Sequence, residues 1–420
     1  MAALRIPLIG DPLTERRMVT ILAAILGAAF AARLGARFVQ GEAHYWANSY
    51  SYLYTLADGV ARGAGFCQAA GCERPPLYLT FLALTTFAGK NWLLIVIPQA
   101  AMGAATALLA FLIGRRMFTP TTGLLAAAGV AFYPYYVIHD TALQDTAMVT
   151  FTLALAVWLL VRGAQDQHFS DWVLAGIALG ALVLVRAAMA PSVAAVLIWA
   201  PVWGMRGPFP VRLRNATILL AAIAVTVSPW LAYTYRVTST PVLTTDTGYL
   251  LWQGNNPGVF AYYPAESIDR SVFEEFGRLP PNEQATLDRL SGNPAAVSER
   301  YKRRAIEFMR EDPWRTLRNA ARKLEAAFSW TFNPFRGALA QWVYALSYVP
   351  VALLGITGMA LARRRPETML IAMLYLAFIG VSAVFFAHTS HRSYLDVYWI
   401  VFAASVLTRI YRYRPDATSA

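Results

Sequence analysis

Ionisable side chains cluster at particular places between the apolar runs of this 420-residue chain. An early stretch, residues 40–91, carries Glu42, His44, Tyr45, Asp58, Glu73, Arg74 and Lys90. A short turn adds His139, Asp140 and, just beyond it, Asp145. Arg186, Arg236 and Asp246 follow, and a late turn holds His388, His391, Arg392 and Asp396. Charges beside apolar runs are costly and usually have a purpose. Carboxylates mixed with Arg and Lys at a lipid–water boundary suit one chemistry well. A carboxylate can take the proton of an acceptor hydroxyl or amine. Guanidinium and ammonium groups can hold and stabilise a leaving phosphate. His and Asp could instead ligate a metal, but no HxH, HExxH or DxD pair is present, so that signal is weak. A single charge at such a place is at least as often a cap or a snorkelling group. The clustering raises the chemical reading.

The elements that must position these groups are set by composition. Apolar residues make up 57% of the chain and charged residues only 14%, against roughly 45–50% and about 25% in soluble domains. Mean hydropathy is +0.43. A soluble globule, a disordered chain, a disulfide scaffold and a collagen-like fibre are excluded, leaving a polytopic membrane protein. Runs long enough to cross roughly 30 Å of hydrocarbon fall at 18–39, 92–114, 121–138, 143–161, 171–186, 187–204, 215–235, 338–361, 368–387 and 394–410. Leu77–Phe87 is only about half a span and starts at Pro75-Pro76, which reads as an interfacial or re-entrant helix.

The net charge of +12 fits this picture without a nucleic-acid partner. Arg5, Arg16 and Arg17, Arg115 and Arg116, Arg162, the Arg206, Arg212 and Arg214 set, Arg363 to Arg365, and Arg409, Arg412 and Arg414 fall in alternate loops and at the termini. Placing them in the cytoplasm satisfies the positive-inside rule with ten spans and both termini inside. The expected fold is therefore an all-α polytopic membrane protein. It comprises a seven-span part, 1–235, with a first extracytoplasmic loop at 40–91, an extracytoplasmic domain at 236–337, and three further spans with a basic tail at 338–420. The domain is expected to be small and mixed α/β: Pro241–Thr245 is strand-like, and 298–330 has amphipathic helical order broken at Pro313. Its arginines form a solvated face or attract anionic lipid headgroups. The two cysteines, Cys67 and Cys72, share one loop, so a disulfide is open in an oxidising compartment.

Several short motifs recur in a definite order. Gly41-Glu42-Ala43-His44-Tyr45 is followed by Ala57, Ala61, Gly63, Gly65 and Phe66, then by Arg74-Pro75-Pro76-Leu77-Tyr78. Asp145 precedes the fourth span and Arg186 the sixth. Pro229-Trp230, Gly248 to Pro257, Ala305 to Pro313, Lys323-Leu324 and Arg392 complete the set. In this order the chain resembles the polyprenyl-phosphate-sugar-dependent glycosyltransferases of GT-C fold, relatives of the protein O-mannosyltransferases and of the aminoarabinose transferase that modifies lipid A. Two positions depart from that pattern: Gly41 stands where the family has its first-loop Asp, and Tyr233-Thr234 replaces an Arg-Asn pair.

The resemblance implies a sugar donor on polyprenyl phosphate, taken from the membrane, and a lipid, glycan or protein acceptor in the cell envelope. It implies a bacterial inner-membrane enzyme whose active site faces away from the cytoplasm. Glu42 is expected as the base, with Asp58 and Asp145 as further catalytic candidates. Asp145 would hold a divalent cation in metal-using variants. Arg74, Lys90, Arg186 and Arg392 are expected at the donor phosphate. Tyr45, His44, Tyr78, Asp140, His388 and His391 are expected around the acceptor or sugar. A flippase for a lipid-linked sugar would call for mid-membrane polar residues and internal pseudo-symmetry, which the sequence does not show. A non-catalytic subunit of an envelope complex is the other alternative.

Overall fold

The computed structural model describes residues 15–47, 50–68, 71–263, 266, 279–332, 337–386 and 388–412. Arg5 and the tail with Arg414 lie outside them. Helix α1 (Glu15–Ala47) runs the length of the molecule, with a backbone break at Gly41, φ 79°. Short helices α2 (Ser51–Ala61) and α3 (Pro76–Ala83) follow. Then come α4 (Leu93–Met117), α5 (Pro120–Phe132), α6 (Pro134–His139), α7 (Thr146–Asp166) and α8 (Phe169–Val185). Helix α9 (Ala190–Trp199) continues as a π-turn to Gly204, and α10 spans Phe209–Thr238. Four helices pack at one end of the bundle: α11 (Thr247–Gly254), α12 (Pro281–Leu290), α13 (Pro294–Glu311) and α14 (Pro313–Phe328). The chain closes with α15 (Ala338–Leu361), α16 (Pro366–Val384) and α17 (Thr389–Arg412).

Every expected span falls on a helix, but the lengths differ from expectation. Eight helical segments are long and apolar enough to cross a membrane, whereas α5 and α8 belong to a shorter apolar class. The cause at α5 is local. Pro134 pushes Tyr133 to an extended backbone, ψ 115°, so the run expected over 121–138 is split into α5 and α6. The 13 residues of α5 reach only ~20 Å at about 1.5 Å per residue. Proline opens α3, α5, α6, α12, α13, α14 and α16, where its missing N–H costs nothing.

The expected mixed α/β character of the inserted segment is not found. Among the described residues of 236–337 there are helices and no strand. The stretch 241–245 has no regular structure and bends at Leu243 and Thr245; its one backbone–backbone bond to another segment is Thr245 N–H to the Cys72 carbonyl at 2.9 Å. The break at Pro313 occurs as expected, and Asp312 caps α14 by accepting from Arg315 N–H at 2.8 Å. Trp252, Leu279, Tyr301 and Ala305 form the small core of this part.

Inside the bundle, small residues let backbones approach. A Cβ on Gly176 would lie 2.7 Å from the Leu219 carbonyl, and one on Gly180 2.6 Å from Thr226 Cβ, so the four-residue glycine spacing seats α8 on α10. Gly355 and Gly358 do the same for α15 against Trp399 and Phe402 of α17. Buried ion pairs add fixed links. Arg33 of α1 donates to Asp140 at 2.8 Å and to the Ala29 and Ala131 carbonyls. These ties hold α1, α6 and the 140–145 turn at the end of the bundle that carries 50–91 and the inserted helices, here called the loop end.

Candidate functional site

A cleft of about 60 Å³, partly open to solvent, lies at the loop end. Four chain segments bring their charges to it. Helix α8 stops at Arg186, whose backbone turns extended (φ −148°, ψ 110°) and frees the side chain to cross the cleft. Asp145 stands one residue before α7, where the helix N-terminus favours a negative charge. Arg186 Nη1 donates to Asp145 Oδ1 and to the Tyr394 hydroxyl, each at 2.7 Å. Tyr394 and His391 come from the first turns of α17.

Arg74 reaches the cleft from the loop before α3. Its guanidinium bonds the Tyr52 hydroxyl, and its Nε is buried without a hydrogen-bond partner. The loop that delivers Arg74 is held firmly. Cys67 and Cys72 form a disulfide. Gly71, at φ +93°, leaves no room for a side chain, since a Cβ would meet Thr245 Oγ1 at 2.6 Å. The Thr245–Cys72 bond then sets Glu73 beside Asp246.

Burial, reinforced by the charge of Asp246, pushes the Glu73 carboxyl above its ordinary value, with Arg74 opposing. Burial likewise raises Asp246 against the opposing pull of Thr244 and Arg74, and Asp246 Oδ1 has no partner. A raised carboxyl pKa stabilises the fold below the ordinary carboxylate value, and that contribution is lost as pH rises through the raised one. Asp246→Asn should therefore raise the melting temperature at neutral pH, with the gain vanishing in acid. Thermal unfolding of the purified protein across this pH range checks it, and an unchanged profile would refute it.

The expected site residues divide into two groups. Arg74, Tyr78, Asp145, Arg186 and His391 line the cleft. The others do not. Glu42 is exposed and accepts from Trp46 Nε1 at 3.1 Å. Lys90 lies 5.7 Å from the Trp46 ring, and His44 is exposed. Tyr45 is fully buried, against Trp46 and Trp92. Asp58 pairs with Arg62 at 2.9 Å, and Asp140 is committed to Arg33. His388 is buried next to His391, with ring centres 5.5 Å apart. Arg392 is fully buried, and its guanidinium is spent on Asp396 (3.0 Å), the Ala327 carbonyl (3.1 Å) and the Tyr344 hydroxyl (2.7 Å). Tyr50, Gln144, Ser390 and Tyr394 line the cleft without having been singled out. Only their place at span ends hints at it.

The cleft does not fit a divalent cation. Asp145 is the only carboxylate among its lining residues and already carries Arg186, whereas such ions take about six oxygen ligands. Asp166, His168 and Asp171 are close enough to share an ion, but they sit at the opposite end, and Arg116 and Arg162 hold the two carboxylates.

A bundle of spanning helices with a charged cleft at one end, capped by an inserted helical layer, is the GT-C architecture of membrane glycosyltransferases, and this chain has it. Residues 73–233, which contain Arg74, Asp145 and Arg186, match the family model described as dolichyl-phosphate-mannose-protein mannosyltransferase. The chain is similar in structure to the apo oligosaccharyltransferase of Archaeoglobus fulgidus, with a TM-score of 0.57 and 13% identity over 95% of this chain and 51% of that one. It is also similar to that organism's oligosaccharyltransferase AglB in complex with an inhibitory peptide and a dolichol-phosphate (TM-score 0.53, 14% identity, 94% and 50% covered). The chain thus spans about half the length of these structures. No curated protein matches it in sequence. The expected GT-C resemblance is borne out.

Proposed function

We propose that the chain is an integral membrane glycosyltransferase that moves a sugar from a polyprenyl-phosphate donor to an envelope acceptor. The observation that carries this reading is the cleft's charge set. Two guanidiniums, Arg74 and Arg186, flank one carboxylate, Asp145, at the end of a membrane bundle. A solved protein of the same fold holds a dolichol-phosphate, which supports a lipid-phosphate donor here.

In this reading the two arginines bind the donor phosphate with charge-assisted bonds. Asp145 takes the proton of the acceptor hydroxyl or amine. The acceptor atom attacks the anomeric carbon from the face opposite the phosphate. The carbon–oxygen bond to the phosphate breaks with inversion, and the electron pair leaves on polyprenyl phosphate, where Arg74 and Arg186 stabilise it. Asp145 assumes the role that the family resemblance would give to Glu42, because Asp145 lines the cleft and Glu42 does not. The loop end would face the extracytoplasmic side of a bacterial inner membrane, with the arginine-rich loops inside. The spans before and after the insert, 1–235 and 338–420, would form the catalytic bundle, and 236–337 its cap.

The test incubates purified, reconstituted protein with radiolabelled polyprenyl-phosphate sugar and envelope fractions. Transfer of label, lost in Arg186→Gln, supports the enzyme. Movement of the donor across the bilayer without transfer would make the chain a flippase. Neither outcome would leave a non-catalytic subunit.

A further inference from the structure

Helix α14 has two faces of opposite character. Its inner face carries Asn319, Lys323, Ala326 and Ala327, all buried. Lys323 donates to Asn255 Oδ1 at 2.9 Å and to the Ala383 and Val384 carbonyls at 3.2 Å, which closes the C-terminal end of α16 as a cation should. Ala327 passes its carbonyl to Arg392 of α17. The helix is thus fastened to the loop ends of α16 and α17.

The other face is exposed. Trp314 is 80% exposed and Leu317 61%, and Ala321 and Leu324 continue the same helical stripe. Arg318 and Arg322 of α14 are exposed beside it, Arg322 with its guanidinium carbon 4.1 Å from the centre of the Phe260 ring, and Arg310 is exposed at the end of α13. A helix that shows Trp and Leu on its free side and arginines along the edge has the pattern of helices lying in a membrane interface. Tryptophan prefers the headgroup level, and arginine can lay its stem on acyl carbons while its head meets phosphate. The apolar edge also does not stand alone, because the first turns of α15 expose Leu339 (79%), Trp342 (61%) and Leu346 (70%). These are spanning-helix residues at the same end of the bundle.

We infer that α14 is a membrane-surface helix that seats Trp314 and Leu317 at the headgroup–acyl boundary and binds anionic phospholipid through its own Arg318 and Arg322 together with Arg310 at the end of α13. The occupant of this face is the lipid leaflet, and the chemistry recognised is the lipid phosphate. The exposed arginines give a reason for anionic over neutral lipid. Because α14 holds Lys323 and Arg392 in place, the leaflet becomes a third support for α16 and α17, and α17 carries His391 and Tyr394 of the cleft. The inference rests on the membrane fold and not on the proposed reaction.

The test reads depth rather than activity. Both native cysteines are in the disulfide, so Leu317→Cys in the full-length protein gives one free thiol for a nitroxide label. The protein is placed in nanodiscs of phosphatidylcholine with or without phosphatidylglycerol. Collisions with oxygen and with a water-soluble nickel chelate are then compared. In the anionic discs the label at 317 should be oxygen-accessible and nickel-shielded, whereas a label at Arg303→Cys, on the exposed side of α13, should be nickel-accessible. In neutral discs, or with R310Q, R318Q and R322Q combined, the 317 label should lose that contrast. Trp314→Cys provides an independent label one turn away. Nickel access at 317 and 314 in anionic discs would overturn the inference. So would equal insertion in neutral discs, which removes the anionic lipid. Shielding from both reagents would also overturn it, because a protein partner would then cover the face.

Discussion

Asp145→Asn should cut sugar transfer by about 10²–10⁴-fold, the usual worth of a positioned general base, while donor binding persists. The asparagine keeps a hydrogen-bond acceptor for Arg186 Nη1, so the turn before α7 has no reason to collapse. What it loses is the negative charge. Arg186 then has no carboxylate to compete with a donor phosphate, and affinity for polyprenyl phosphate should hold or rise. The signature is a fall in kcat with KM for the donor unchanged or lower, as expected for a group that acts in the transition state. Glu42→Gln should leave kcat within a few-fold of the parent, because Glu42 faces Trp46 and solvent. A collapse of turnover in Glu42→Gln with full turnover in Asp145→Asn would reverse the assignment.

That comparison shows what the sequence could and could not reveal. Arg74, Asp145 and Arg186 were readable because each borders an apolar run next to a helix signal: the Pro75-Pro76 start of α3, the start of α7 and the end of α8. Hydrophobic run length located the spans, since the cost of unpaired backbone in lipid leaves helices as the only answer. Partner choice was not readable. Asp140 resembles Asp145 in type, spacing and setting, yet Arg33, 107 residues away, takes it. Glu42 keeps the motif position, but the backbone break at Gly41 turns the end of α1, and its carboxylate ends on Trp46. The stretch 241–245 has strand-forming residues but finds no partner strand among the described residues: its backbone is taken up by Thr234 and Trp230 of α10 and by the Cys72 carbonyl, so single bonds replace a ladder. In each case the local pattern was correct and a contact distant in sequence decided the outcome.

Arg392 gives the sharpest example and the second large effect. By position it looks like a phosphate ligand in the last loop. In the fold it is 0% exposed beside Asp396 at 1%, and its guanidinium carbon lies 3.6 Å from the centre of the Tyr348 ring. Removing one member of such a pair leaves a buried, unpaired charge, which costs about 3–5 kcal/mol, whereas replacing both by apolar groups is often close to neutral. Arg392→Leu should therefore sharply lower the melting temperature of the detergent-purified protein. Tyr133, which donates to Asp396 Oδ2 at 3.1 Å, would remain as the only compensation among the described contacts of that carboxylate. The Arg392→Leu, Asp396→Leu double variant should recover much of the loss. A ligand for the donor phosphate would behave differently. Its loss would leave the melting curve in place and weaken polyprenyl-phosphate binding, and removing Asp396 as well would restore nothing. Measuring unfolding and donor affinity on the same three proteins separates the two roles, because the buried pair links Arg392 to Asp396 in stability, while a phosphate contact links it to the donor.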